Sequence, residues 1–186
     1  MKLILASESP GRKQALLDAG YVFEVIPSNY EEDMTMKLTP TELVKVLSQG
    51  KARSVAALHP NAIIIGADTI ALFEGVVMGK PHTEENSIKM LQMLSGKTHS
   101  MVTGLTVINT ATGKEIAISV ETKVRFRKLP QEEIEEYTRM GEALKKAGAY
   151  AYQLNGYKFV ENTEGSISNI SGLPMEKLKE VLGEIM

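Results

Sequence analysis

The chain has 186 residues, 21 Lys plus Arg against 23 Asp plus Glu, a net charge of −2 and no Cys. At roughly 150 residues per domain, this length suits one domain of two lobes, burying about 70% of the surface its unfolded form exposes. The absence of Cys excludes disulfides, zinc fingers, iron–sulfur clusters and thiol nucleophiles. The charge balance argues against a protein that coats nucleic acid. No apolar run approaches the ~20 residues of a membrane span. Met1–Ala6 is apolar but too short for a signal peptide, so a cytoplasmic protein with no membrane attachment is expected.

Short apolar runs alternate with helical stretches, the pattern of an α/β fold. Leu3–Ala6 is wholly apolar, as in a strand buried on both faces. Ser7–Pro10 is a polar turn, and a helix over 12–19 stops at Gly20. A second strand is expected at 22–26, followed by a polar loop carrying Glu31, Glu32 and Asp33. Thr39-Pro40-Thr41-Glu42 has the form of a capping box with Pro at the first helical position. The helix it opens runs to about Leu58, and its inward stripe reads Val44, Leu47, Lys51, Val55, Leu58. Lys51 therefore sits on an apolar face, where a charge is costly without a partner.

Ala62–Ile65 is a second apolar strand, ending at Gly66-Ala67-Asp68-Thr69. A hairpin follows, turning at Glu74-Gly75. Thr83 caps a helix that places Ile88, Leu91 and Leu94 on one face and ends at Gly96. Two longer strands are expected at 98–108 and 115–126, then a helix at 130–140 and an irregular stretch at 143–156. Short strands are expected at 157–160 and 166–170, and a final helix at 174–186.

Two strand ends carry candidate chemistry, because ligands in open α/β sheets bind beyond the carboxyl ends of strands. Ser7, Ser9 and Arg12 at a helix start suit a phosphate cradle. The plain alternative makes Ser9 an N-cap and Arg12 a surface charge. Asp68 is placed to bind a metal or orient a water, or else to cap a turn. Glu31, Glu32 and Asp33 offer a second hard-oxygen ligand for Mg²⁺, or form a solvated loop. Lys51 and Lys80 are candidates to neutralise phosphate. His59, His82 and His99 lie far apart; His59 reads as a helix-end residue, His82 and His99 have no evident partner in sequence, and none is expected as a catalytic base. The set suits metal-assisted attack on a phosphate, and no nucleophile elbow, Walker A loop or dinucleotide fingerprint is present.

These pieces, in this order, resemble the Maf family of nucleoside triphosphate pyrophosphatases, also called septum-formation-inhibitor-like proteins. The resemblance rests on Leu5–Arg12, Glu31-Glu32, Lys51-Ala52, Gly66–Thr69, Gly79-Lys80-Pro81, Leu94–His99, Lys146–Tyr150 with Gln153, and Gly172-Leu173-Pro174. It implies a two-lobed α/β fold like that of inosine triphosphatases, with a curved mixed sheet and a central cleft. It implies hydrolysis of a nucleoside triphosphate to monophosphate and pyrophosphate with Mg²⁺ or Mn²⁺. On this resemblance Asp68 is the catalytic carboxylate, and Ser7, Arg12, Glu32, Lys51 and Lys80 are further active-site positions; Glu32 and Asp68 are expected to hold the metal. Ser9, at the helix start, is expected to join Ser7, Arg12, Lys51 and Lys80 in binding substrate, and the resemblance links Gly11, Thr69 and Gln153 to base choice. Members preferring dTTP and UTP carry Arg, Thr and Gln at those three positions; members preferring 7-methyl-GTP carry Trp, Gln and Glu. Thr69 and Gln153 match the first branch, and Gly11 matches neither. The alternatives are cleavage of 7-methyl-GTP, broad cleavage, or a regulator of septum formation that binds nucleotide without turnover. The resemblance also implies a homodimer and a link to cell-division arrest.

Overall fold

A computed structural model describes all 186 residues. The strands are β1 (Lys2–Leu5), β2 (Glu24–Val25), β3 (Ala62–Phe73), β4 (Val76–Met78), β5 (Thr98–Asn109), β6 (Lys114–Phe126) and β7 (Val160–Glu164). The helices are α1 (Pro10–Asp18), α2 (Pro40–Ala56), α3 (Glu84–Leu94), α4 (Gln131–Arg139), α5 (Ile167–Ile170) and α6 (Met175–Ile185). One mixed sheet runs in the order β2-β1-β3-β5-β6-β7, with β4 paired to β3. β1 is parallel to β2 and β3, whereas β4 and β7 are antiparallel to their neighbours. No helix is long and apolar enough to cross a membrane.

The chain divides into two compact units. The first comprises Met1–Thr69, Thr103–Val120 and Ser168–Met186. Its strands are buried on both faces, and the alternation of side chains along a strand sorts them into two cores. Leu5, Ile63, Ile65, Ala67, Leu105 and Val107 pack with Leu16 of α1 and with Leu178, Val181, Leu182 and Ile185 of α6. Ile4, Ile64 and Ile108 point the other way and pack with Ala52 and Val55 of α2.

Helix α2 lies directly on strand backbone. A Cβ at Gly66 would sit 2.5 Å from the Ser48 carbonyl oxygen, and one at Gly104 only 1.9 Å from that of Val44. Both distances are below any real Cβ contact, so only glycine fits there. The hydroxyls of Ser48 and Thr106 add a buried hydrogen bond of 2.8 Å. The expected capping box is present: Thr39 Oγ1 accepts from the Glu42 N–H, and the Glu42 carboxylate accepts from the Thr39 N–H.

The second unit comprises Ile70–Val102 and Glu121–Ile167. The β3–β4 turn has positive φ at both turn residues, Glu74 (50°) and Gly75 (81°), as a tight hairpin requires. Its interior is aromatic. Phe126 meets His99, Tyr150 and Phe159 edge-on, with ring centroids 4.8, 4.9 and 5.7 Å away.

The last strands, the end of the α2 stripe and the place of Asp68 differ from expectation. The strands at 157–160 and 166–170 are a 3₁₀ turn (Gly156–Phe159) and helix α5, and the strand between them is the polar segment Val160–Glu164. Pairing with the β6 edge overrides local apolarity there: Thr163 lies opposite Val124, and Arg125 binds Glu161 at 2.8 Å. Leu58 does not continue the α2 stripe; the helix has ended, and it is 72% exposed. β3 is continuous from 62 to 73, so Asp68 lies within a strand and not at its end.

His99 is fully buried, with Nε2 2.9 Å from the Tyr150 hydroxyl, and burial pushes its pKa down from 6.5 to about 4. The folded state therefore holds a neutral imidazole where the unfolded chain takes up a proton. Stability from this group is complete above pH 6.5 and falls with pH down to about 4, by up to about 3 kcal/mol. Denaturant unfolding between pH 4 and 7 should show this slope in the wild type and a flatter one in His99→Phe.

Candidate active site

The site lies in the first unit, around the point where β1 stops and β3 continues. Leu5, the last residue of β1, pairs with Ile65, so residues 66–69 of β3 run past the end of their parallel neighbour. Asp68 and Thr69 are consecutive and thus project to opposite faces of the strand. Asp68 shares the face of Ile64 and Gly66, under α2. Thr69 shares the face of Ile65 and Ala67, toward α1.

On the α2 side, Lys51 reaches two carboxylates. Its Nζ is 2.5 Å from Asp68 Oδ1 and 2.7 Å from Glu32 Oε1. Lys51 and Asp68 are nearly buried, with side chains 13% and 10% exposed, whereas Glu32 is exposed at 41%. The costly lysine of the apolar stripe is thus the partner of a strand carboxylate.

On the α1 side, Arg12 is buried and spread across three acceptors. Its Nε donates to the Gly172 carbonyl at 2.8 Å, Nη1 to Ser7 Oγ at 2.9 Å and Nη2 to Thr69 Oγ1 at 3.1 Å. Gly172 has φ +89°, and a Cβ there would meet Thr69 Oγ1 at 3.1 Å and Arg12 Nε at 3.3 Å. Burial pushes the Arg12 pKa down from its usual value, and the negative charges of Asp68 and Glu32 oppose that shift. Three of the five guanidinium N–H bonds are engaged, which leaves two for a ligand.

The structure therefore brings together Ser7, Arg12, Glu32, Lys51, Asp68 and Thr69. Gly11 is buried in the first turn of α1. Ser9 holds the N-cap position of α1, but its side chain makes no cap bond; the Ser9 N–H instead donates to Ser7 Oγ at 3.3 Å. Lys80 follows β4 and Gln153 lies in an irregular stretch; both are exposed and belong to the second unit. Two contributors are absent from the sequence-derived set. The Gly172 carbonyl had a signal in Gly172-Leu173-Pro174, a turn with no side chain at its centre. Thr103, whose hydroxyl lies 2.9 Å from that of Thr69, had none, since a Thr within an apolar strand reads as ordinary strand composition.

Nowhere do three or more His, Asp or Glu side chains gather as a metal cage. The donor set nevertheless fits Mg²⁺, which is commonly held by one or two carboxylates together with substrate phosphates. Glu32 and Asp68 both contact one cation already, the Lys51 ammonium.

The chain matches the family described as Maf-like protein over residues 2–185. It belongs to that family. A relative from Thermoanaerobacter sp. (strain X514), named dTTP/UTP pyrophosphatase, is 45% identical over 183 residues, covering 98% of this chain and 95% of the relative. One from Moorella thermoacetica with the same name is 41% identical, covering 97% and 93%. Among solved structures, a HAM1 protein from Coxiella burnetii aligns with a TM-score of 0.53 at 14% identity, covering 99% of both chains. The Staphylococcus aureus Ham1 protein aligns at 0.55 and 11%, covering 100% of both. These two likenesses establish the fold, and the mixed α/β architecture expected for the family is the one observed.

The three bonds of Arg12 require a planar fork that a point cation does not supply. Arg12→Lys should lower unfolding stability by about 1–3 kcal/mol, because buried acceptors lose their donors. Urea denaturation at pH 7 measures it.

Proposed function

We propose that this chain is a nucleoside triphosphate pyrophosphatase that cleaves dTTP and UTP to the monophosphate and pyrophosphate. The observation that carries this reading is the convergence of Arg12, Lys51, Glu32 and Asp68 around residues 66–69 of β3. Two cations and two carboxylates at one strand segment suit a polyanionic substrate and hydrolysis at phosphorus. Relatives named dTTP/UTP pyrophosphatase support the substrate class.

In this reading the Asp68 carboxylate accepts a hydrogen bond from a water and orients it toward the α-phosphorus. The water oxygen bonds to that phosphorus, the α–β bridging bond breaks, and pyrophosphate leaves with the bond electrons. Asp68 takes the proton that the water releases. Its main contribution is to position the water. The two spare N–H groups of Arg12 and the Lys51 ammonium hold phosphate oxygens as negative charge shifts onto the leaving group. The Ser7 hydroxyl and the Gly172 carbonyl keep the guanidinium in place. Glu32 and Asp68 would hold a Mg²⁺ or Mn²⁺ ion, which when bound supplies charge neutralisation and activation of water. Thr69 would meet the base, as in the dTTP and UTP branch. The cytoplasm, where nucleotide pools lie, is the compartment this reading expects.

Pyrophosphate release from dTTP, UTP, CTP, GTP and 7-methyl-GTP tests the reading. Fastest release from dTTP and UTP, abolished by EDTA, is expected; preference for 7-methyl-GTP overturns the base assignment. Tight binding of intact triphosphate with no product shifts the reading to a regulator. Asp68→Asn should cut kcat roughly 10²- to 10⁴-fold while circular dichroism stays native. Near-normal turnover in that variant removes Asp68 from the mechanism.

A further inference from the structure

Behind Thr69 stands Thr103, a residue that no motif marks. The Thr69 hydroxyl has one proton and two acceptor lone pairs. One lone pair takes the Arg12 Nη2–H at 3.1 Å, because a guanidinium only donates. The Thr103 hydroxyl lies 2.9 Å from Thr69 Oγ1, and either oxygen of that pair is able to donate. Thr103 is completely buried, and Thr69 is its one side-chain hydrogen-bond partner in the protein. If Thr69 donated to Thr103, the Thr103 proton would be left buried without an acceptor, which folding penalises. If Thr103 donates, its proton is satisfied and both lone pairs of Thr69 are filled. The Thr69 proton then has no protein acceptor and points to whatever occupies the site. Thr69 is half-buried, so this proton is accessible to a ligand.

We propose that Thr103 is a positioning residue that makes Thr69 an obligate hydrogen-bond donor, and so selects a base presenting a carbonyl oxygen rather than an amino group. The inference rests on the reading that Thr69 meets the base. Uracil and thymine carry a carbonyl at C4 where cytosine carries an amine, so a hydroxyl that only donates accepts the first two and rejects the third. Without the Thr103 hydroxyl, one lone pair of Thr69 is free, and Thr69 is able to accept from an amino group as well. Selectivity of this kind comes from an unpaired polar group in the wrong complex and not from added contacts in the right one.

Binding of the non-hydrolysable α,β-imido analogues of UTP and CTP, measured by calorimetry, separates recognition from turnover. The wild type should prefer the UTP analogue. Thr103→Val should shrink that preference about tenfold or more, chiefly by tighter binding of the CTP analogue. Thr103→Ser, which restores the hydroxyl, should recover the preference, and Thr103→Ala serves if the Val variant does not fold. Equal loss of affinity for both analogues, with the preference intact, means a purely structural role and overturns the inference. Thr69→Val provides the control. If it moves the preference and Thr103→Val does not, only the inference fails. If it leaves the preference unchanged, Thr69 does not meet the base, and both readings fail together.

Discussion

The site depends on one constraint: β3 is sandwiched between helices, so its consecutive side chains must serve opposite faces. Asp68 turns toward α2 and Thr69 toward α1. Each therefore finds a different cation, Lys51 on one side and Arg12 on the other. The constraint is tight because α2 rests on the backbone of β3 and β5 at Gly66 and Gly104. A side chain at either glycine would lift the helix that carries Lys51. The same approach places Ser48 against Thr106, so a buried polar pair sets the depth of the helix as the glycines do.

The charges of the site are held by geometry more than by exposure to water. Arg12, Lys51 and Asp68 are each largely removed from solvent, which is costly for isolated ions. Pairing and hydrogen bonding offset that cost, and the groups are then fixed in direction before any ligand arrives. Under the proposed reaction, preorganised charge of this kind would stabilise a developing phosphate charge without reorganisation. Glu32 differs, because it comes from an exposed loop and contacts Lys51 from outside.

Much of this was legible along the chain. Most element positions followed from apolar periodicity, Gly and Pro stops and caps, because those signals are local. The capping box at Thr39–Glu42 and the hairpin at Glu74-Gly75 appear where their residues predicted. Lys51 was identifiable as a lysine in need of a partner, since a charge on an apolar helical stripe is costly without one, and it meets Asp68 and Glu32. The errors share a cause. Strand Val160–Glu164 is polar and exists through its pairing with β6, and Asp68 is mid-strand because β3 outlasts β1. Neither fact has a local signature.

The sequence by itself determined the α/β class, the family, the helix caps and the residue types able to handle a phosphate. These follow from short-range periodicity and from motif order. Only the tertiary structure decided that Arg12 spends three donors on Ser7, Thr69 and Gly172, that Lys51 joins Asp68 to Glu32, and that Thr103 stands behind Thr69. Those partners are up to 160 residues apart in the chain. The physical reason is that hydrogen-bond and charge satisfaction is settled across strands and helices brought together by packing, and no spacing along the chain encodes which buried donor meets which acceptor.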